Sequence, residues 1–281
     1  MDKLVDSEDL RRRYEALEAH YGWDKLIDDE SESIRYSLAH YKYGLDKLIN
    51  DPSWVVRRGV AAVTDNEDHL SQLAKDSEDW IREVVASRGY KLDVLVNDES
   101  SLVREEVACR GYGLEKLIND PSPFVRAAVA RQGYGLEQLV QDKESFVREA
   151  VARCGYGLEQ LVNDKSPSVR QTVAEKGYGL DKLVKDKDPG VRKAVADNGY
   201  GLDKLINDRD IHVRVSVVRQ GYGLDKLMKD KSPSVRRAVA EMGYGLEELS
   251  KDPSLSVRDV AMTKYLEKVL AGEKSKEGID L

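Results

Sequence analysis

Apolar positions in this chain alternate between two helical spacings, and the pair of spacings returns every 22 residues. Around Gly177, Leu180, Leu183 and Val184 stand at i, i+3 and i+4. That spacing predicts a short first helix of about two turns, partly 3₁₀, between Gly179 and Asp186. Val169, Val173 and Ala174 recur at i, i+4 and i+5, and their counterparts are apolar in all copies. They predict a second helix that buries one face, with an alanine small enough to let a neighbouring helix come close. Its start is marked four residues before a recurrent arginine by Ser or Asp in nine of eleven copies, both good N-cap residues. Pro123, Pro167, Pro189 and Pro233 follow at the first helical position, where a missing N–H costs nothing. Gly177 and its counterparts end the helix in a left-handed turn.

The arginine makes the period explicit. It stands at Arg35, Arg57, Arg82, Arg104, Arg126, Arg148, Arg170, Arg192, Arg214, Arg236 and Arg258, each step 22 residues except the 25 from Arg57 to Arg82. A unit this short buries its apolar side only by stacking on its neighbours. The expected fold is therefore all-α, an α-solenoid of eleven two-helix repeats over residues 21–262. Before it, Leu10, Tyr14 and Leu17 form one helical stripe within a capping helix in 1–20, with Arg11, Arg12 and Arg13 on its outer face. Residues 61–69 hold the three-residue insertion, expected as a longer acidic loop that changes the local superhelical twist. Val257, Val260, Ala261, Tyr265 and Val269 continue a stripe toward Gly272 as a C-terminal cap. The remainder of 263–281 is expected to fray.

Charge narrows the partner. The chain is 35% charged with a net charge of −7, and residues 1–33 alone carry eleven acids against five bases. The array is therefore near neutral, without the basic excess of a generic duplex-DNA binder. Cys109 and Cys154 fall at different repeat positions, which fits a reducing, cytoplasmic setting with neither disulfide framework nor zinc site. The start of the chain lacks a signal-peptide pattern, and no apolar run reaches membrane-spanning length. His20, His40, His69 and His212 occupy unrelated positions, so no catalytic or metal-binding constellation forms and no enzyme is expected. Ten of fourteen tyrosines share one position, expected as a spine packed between layers with hydroxyls on loop backbone rather than a base-stacking row.

The core LxxLxxDxxxxVRxxVA, written at Leu45–Ala61 as LDKLINDPSWVVRRGVA, resembles the bacterial leucine-rich repeat variant and, more broadly, HEAT repeats. The resemblance implies alternating α and 3₁₀ helices in a right-handed superhelix. The known variant carries a cysteine cluster for an iron–sulfur centre ahead of its repeats. No cysteine here precedes Cys109, so no cofactor is expected. HEAT repeats place an aspartate six residues before an arginine, matched here from Asp29/Arg35 to Asp252/Arg258. That implies a hydrogen-bond ladder between repeats, with the carboxylate of the preceding turn as the expected acceptor.

Residues common to all copies build the stack, which leaves function to those that vary. Two residues before the arginine stand Val55, Trp80, Leu102, Phe124 and Phe146, then mainly small or polar residues. Trp54 stands beside this column, and Arg131 and Arg153 lie on the same face. At the usual 8–10 Å between helices the stripe is roughly 40 Å long. The expectation is a non-enzymatic scaffold that binds a protein or peptide there. The alternatives are a HEAT-like nucleic-acid binder using its concave face, and a plain spacer.

Overall fold

The structure is a computed structural model, and it describes residues 2–270. Helices are the only regular elements among them. They alternate between one-turn helices such as Leu180–Leu183 and nine-residue helices such as Pro167–Glu175 and Pro189–Asp197. Within each unit, consecutive nine-residue helices pack side by side, with a one-turn helix closing each layer. This is an α-solenoid of repeats, in which Val169, Val173, Ala174 and Leu183 are at most 1% exposed. The chain divides into two compact units, Met1–Leu139 and Val140–Leu281.

The turn between layers depends on two glycines. Gly177 (φ +76°) follows the second helix and donates to Ala174 O at 2.8 Å, while Tyr178 N–H reaches Val173 O at 3.2 Å. Those bonds satisfy two carbonyls that a helix end leaves open. Gly179 (φ +61°) starts the next helix, and a Cβ there would lie 2.5 Å from Val162 Cγ2. The short helix has one turn rather than two: Leu180–Leu183 is helical, and Val184 and Lys185 already belong to the turn before Asp186.

Three local expectations are corrected. The insertion does not form a loop across 61–69: the helix Trp54–Val63 runs one residue longer, and Asn66 caps a seven-residue helix, Glu67–Leu73. Asn66 Oδ1 accepts from Asp68 N at 2.8 Å, so the extra residues lengthen the first helix. Arg13 is not on an outer face; it is 7% exposed, while Leu10 is 42% exposed. The residues inside that helix are Arg13, Ala16 and Leu17. The repeated tyrosines do not form a sealed spine. Tyr112, Tyr134, Tyr156, Tyr178, Tyr200, Tyr222 and Tyr244 stay exposed along the turns. Among the described residues none of their hydroxyls bonds backbone, and Tyr21 donates instead to Asp2 Oδ1 at 2.7 Å.

The ladder exists, with a different acceptor. Arg170 Nε and Nη2 donate to Asp186 Oδ2 and Oδ1 at 2.6 and 2.8 Å, and Asp186 belongs to the following repeat. The preceding turn supplies its main chain: Arg170 Nη1 donates to Asp164 O at 2.8 Å. Arg35, Arg57, Arg82 and Arg104 in the first unit repeat this forked bond. So do Arg148, Arg192, Arg214 and Arg236 in the second. Each such aspartate also accepts the amide two residues on, as Asp164 Oδ1 does from Ser166 N at 2.8 Å. Burial alone would push Asp164, Asp186, Asp208 and Asp230 upward, but the arginine fork and that amide prevail and hold them below the usual carboxylate range. Ser166 and the other cap serines keep the extended cap backbone but make no cap bond; among these second helices Asp188 and Asp210 do.

Candidate protein-binding site

The forked rungs and buried valines fix the roll of each second helix, and so decide which side chains face outward. In the first unit, the position two before the arginine holds Val55, Trp80, Leu102 and Phe124. Trp80 is 50% exposed, Phe124 57%, Leu102 41%, and Val55 is half-buried with Trp54 exposed beside it. The next residue in each case, Val56, Ile81, Val103 or Val125, is fully buried. The helices Trp54–Val63, Asp79–Ser87, Ser101–Cys109 and Pro123–Arg131 pack in sequence, three steps that span roughly 30 Å. Covering what Trp80 and Phe124 leave exposed is worth roughly 2 kcal/mol for each ring.

Acidic groups run beside these rings. Glu83, one turn on from Asp79, is half-buried and forms no ion pair among the described residues. Burial, then the nearby Glu106 carboxylate, push it above the usual carboxylate range. Glu105 lies 3.9 Å from Arg131, and Glu106 pairs with Arg110 at 3.1 Å. Arg131 is exposed, so that contact is loose. Cys109 is exposed and not disulfide-bonded; burial of its sulfur, then Glu106, push its thiol up and make it a poor nucleophile.

In the second unit the same column starts with half-buried Phe146 and then turns polar: Ser168, Gly190, His212 and Ser234. Charges on this face pair within their own helices. Arg153 meets Glu149 at 2.6 Å, Lys193 meets Asp197 at 2.6 Å and Arg237 meets Glu241 at 2.9 Å. The structure thus places Val55, Trp80, Leu102, Phe124 and Arg131 in one unit, and Phe146 and Arg153 in the other. Among the described residues no cluster of His, Cys, Asp and Glu could hold a metal ion, and no helix is long and apolar enough to cross a membrane.

One aromatic group escaped the sequence reading. Trp23 stacks on Tyr41 at 5.3 Å between centroids, meets Tyr43 edge-on at 5.2 Å, and lies 4.8 Å from His20. Its signal was a substitution: Trp23 stands where the other copies have the leucine of LDKL, and His20 and Lys42 take the positive-φ place of a glycine.

This geometry can be set beside known proteins. The chain is similar to a leucine-rich repeat variant described as having a novel repetitive structural motif. Identity is 27%, over 76% of this chain and 87% of that one, with a TM-score of 0.43. It is also similar to a designed armadillo repeat protein in complex with a (KR)4 peptide, at 18% identity over 94% of this chain and 96% of that one, with a TM-score of 0.11. No family model and no curated protein matches the sequence. With such low superposition scores, the fold rests on the chain's own helices and rungs.

Proposed function

We propose that this protein is a non-enzymatic repeat scaffold of the cytoplasm that binds a protein or peptide along the second helices of its first unit. Val55, Trp80, Leu102 and Phe124 make the contact surface, with Arg131 at its edge; Phe146 and Arg153 are the corresponding residues where the second unit begins. The observation that carries this reading is the exposure of Trp80 and Phe124 on helices whose next residues, Ile81 and Val125, are fully buried. Large rings held outward on a rigid frame lose little entropy when covered.

The test is quantitative capture from the native host with the wild-type chain and with the Trp80→Ser/Phe124→Ser variant. A partner enriched on the wild type and lost at least about tenfold on the variant supports the reading, provided far-UV circular dichroism is unchanged. Identical capture by both chains would falsify it.

A further inference from the structure

The two ends of the array are finished differently. At the start, helices Asp2–Val5 and Leu10–Glu18 reproduce a repeat in register. Arg13 lies 2.8 Å from Asp29 of the following copy, and its Nη1 donates to Ser7 O at 2.9 Å. The outward positions of this copy are polar. Ser7 replaces the ladder aspartate, and exposed Arg12 replaces an isoleucine or valine that is fully buried elsewhere, as Ile34 and Val56 are.

At the other end the arginine and the apolar positions are kept. In the helix Leu255–Leu270, Arg258 keeps its own-turn bond to Asp252 O at 2.6 Å. Among the described residues it has no carboxylate across the rung, and the position sixteen residues on is Lys274. Met262 occupies the place of Ala174, Ala196 and Ala240, each fully buried by the layer that follows, yet it is 48% exposed. Leu255, Leu266 and Val269 are exposed with it. At 100° per residue these four share one side of the helix within about 60°, and Arg258 borders them. Of these, Met262 and Arg258 hold positions that an internal second helix turns to its successor; the counterparts of Leu255 are exposed in internal copies too, as Trp54 and Ile211 are, and Leu266 and Val269 extend the stripe beyond the nine-residue length of an internal helix.

We propose that this helix is a second docking surface, for an acidic amphipathic segment of another protein that supplies apolar side chains to Met262 and Leu266 and a carboxylate to Arg258. Charge complementarity selects this occupant, and the forked rungs inside the array, such as Arg170–Asp186 and Arg236–Asp252, give its geometry. A second copy stacked head to tail does not fit, because it would bring Ser7 to Arg258 and bury Arg12. The inference is independent of the aromatic face.

The probe is a fluorescein-labelled peptide of the chain's own residues 224–241, which carries Leu224, Leu227 and Asp230, titrated by anisotropy into the full chain. Saturable binding is expected, weakened at least about tenfold by Met262→Glu with Leu266→Glu. Peptide Asp230→Asn should weaken binding about tenfold to the wild type and not at all to Arg258→Gln. Trp80→Ser/Phe124→Ser should bind the probe normally, which separates this result from the fate of the first surface. The proposal is overturned if nothing saturates below about 1 mM, or if aspartate and asparagine peptides bind alike. It is also overturned if light scattering shows a dimer that Met262→Glu dissociates, since a second copy is then the occupant. Binding that appears only after residues 271–281 are deleted overturns it too, because the chain then covers its own end.

Discussion

The outward faces of the two units make an internal experiment. Both rest on the same forked rungs, the same fully buried valines and the same glycine turns. Above that common frame, the first unit carries Trp54, Trp80, Leu102 and Phe124, whereas the second carries Ser168, Gly190, His212 and Ser234. Their charges differ less: within-helix pairs occur in both, Glu106–Arg110 in the first and Lys193–Asp197 and Arg237–Glu241 in the second, but Glu83 of the first unit has no ion pair among the described residues. The lesson is that the frame and the column two before the arginine are uncoupled. A stack of this kind changes its outward chemistry copy by copy without disturbing its packing.

Acid is the harshest way to break the comparison, because it acts on the frame that both units share. Asp76 in the first unit and Asp164, Asp186, Asp208 and Asp230 in the second are held below their ordinary range. A depressed carboxyl stabilises the fold above its unfolded value of about 4 and loses that contribution as pH falls through the folded value. Urea midpoints should be flat from neutral pH to about pH 5 and then collapse, with no difference between wild type and Trp80→Ser/Phe124→Ser. An equally steep loss on the alkaline side would break the argument. Next comes a single rung. Asp186→Ala leaves Arg170 buried without its fork and should cost about 3 kcal/mol in urea unfolding. Smaller again is Gly179→Ala, at about 2 kcal/mol, from the positive φ and the contact with Val162. Least costly are the outward positions: Phe124→Ser and Ser168→Phe should each move stability by no more than about 0.5 kcal/mol. A larger loss at Phe124 would make that ring part of the frame and erase the distinction.

How much of this was legible in the sequence varied with the range of the interaction. The second helices, the glycine turns and the buried Val–Ala face follow from spacing within one copy and stand where the spacing put them, whereas the first helices are shorter than expected and Glu67–Leu73 was expected as loop. The rung did not, because its chemistry spans two copies: Asp164 is six residues before Arg170 in the chain, yet it gives that arginine its carbonyl and keeps its carboxylate for Arg148. Arg13 was hidden for a related reason. Ser7 for aspartate and Arg12 for valine break the core pattern of its segment, although Arg13 stands 22 residues before Arg35 and DKLVD at Asp2–Asp6 matches DKLID at Asp24–Asp28. The tyrosine position was plain and its environment was not, since a ring lying along an exposed turn and a ring between layers leave the same periodic trace. For the aromatic face, the sequence supplied the residues and the structure supplied their exposure.

The bond from Arg57 to Asp76 spans 19 residues where its counterparts span 16, yet its lengths of 2.7 and 3.0 Å match theirs. What must be conserved between neighbouring coils is therefore a pair of endpoints, and the contour length joining them is free. The added length is taken up as helix, by one residue at Val63 and in Glu67–Leu73, while Thr64 between them stays buried and its carbonyl accepts from Arg88. Length added within that short helix, and not at Thr64, should leave the register of every later coil intact.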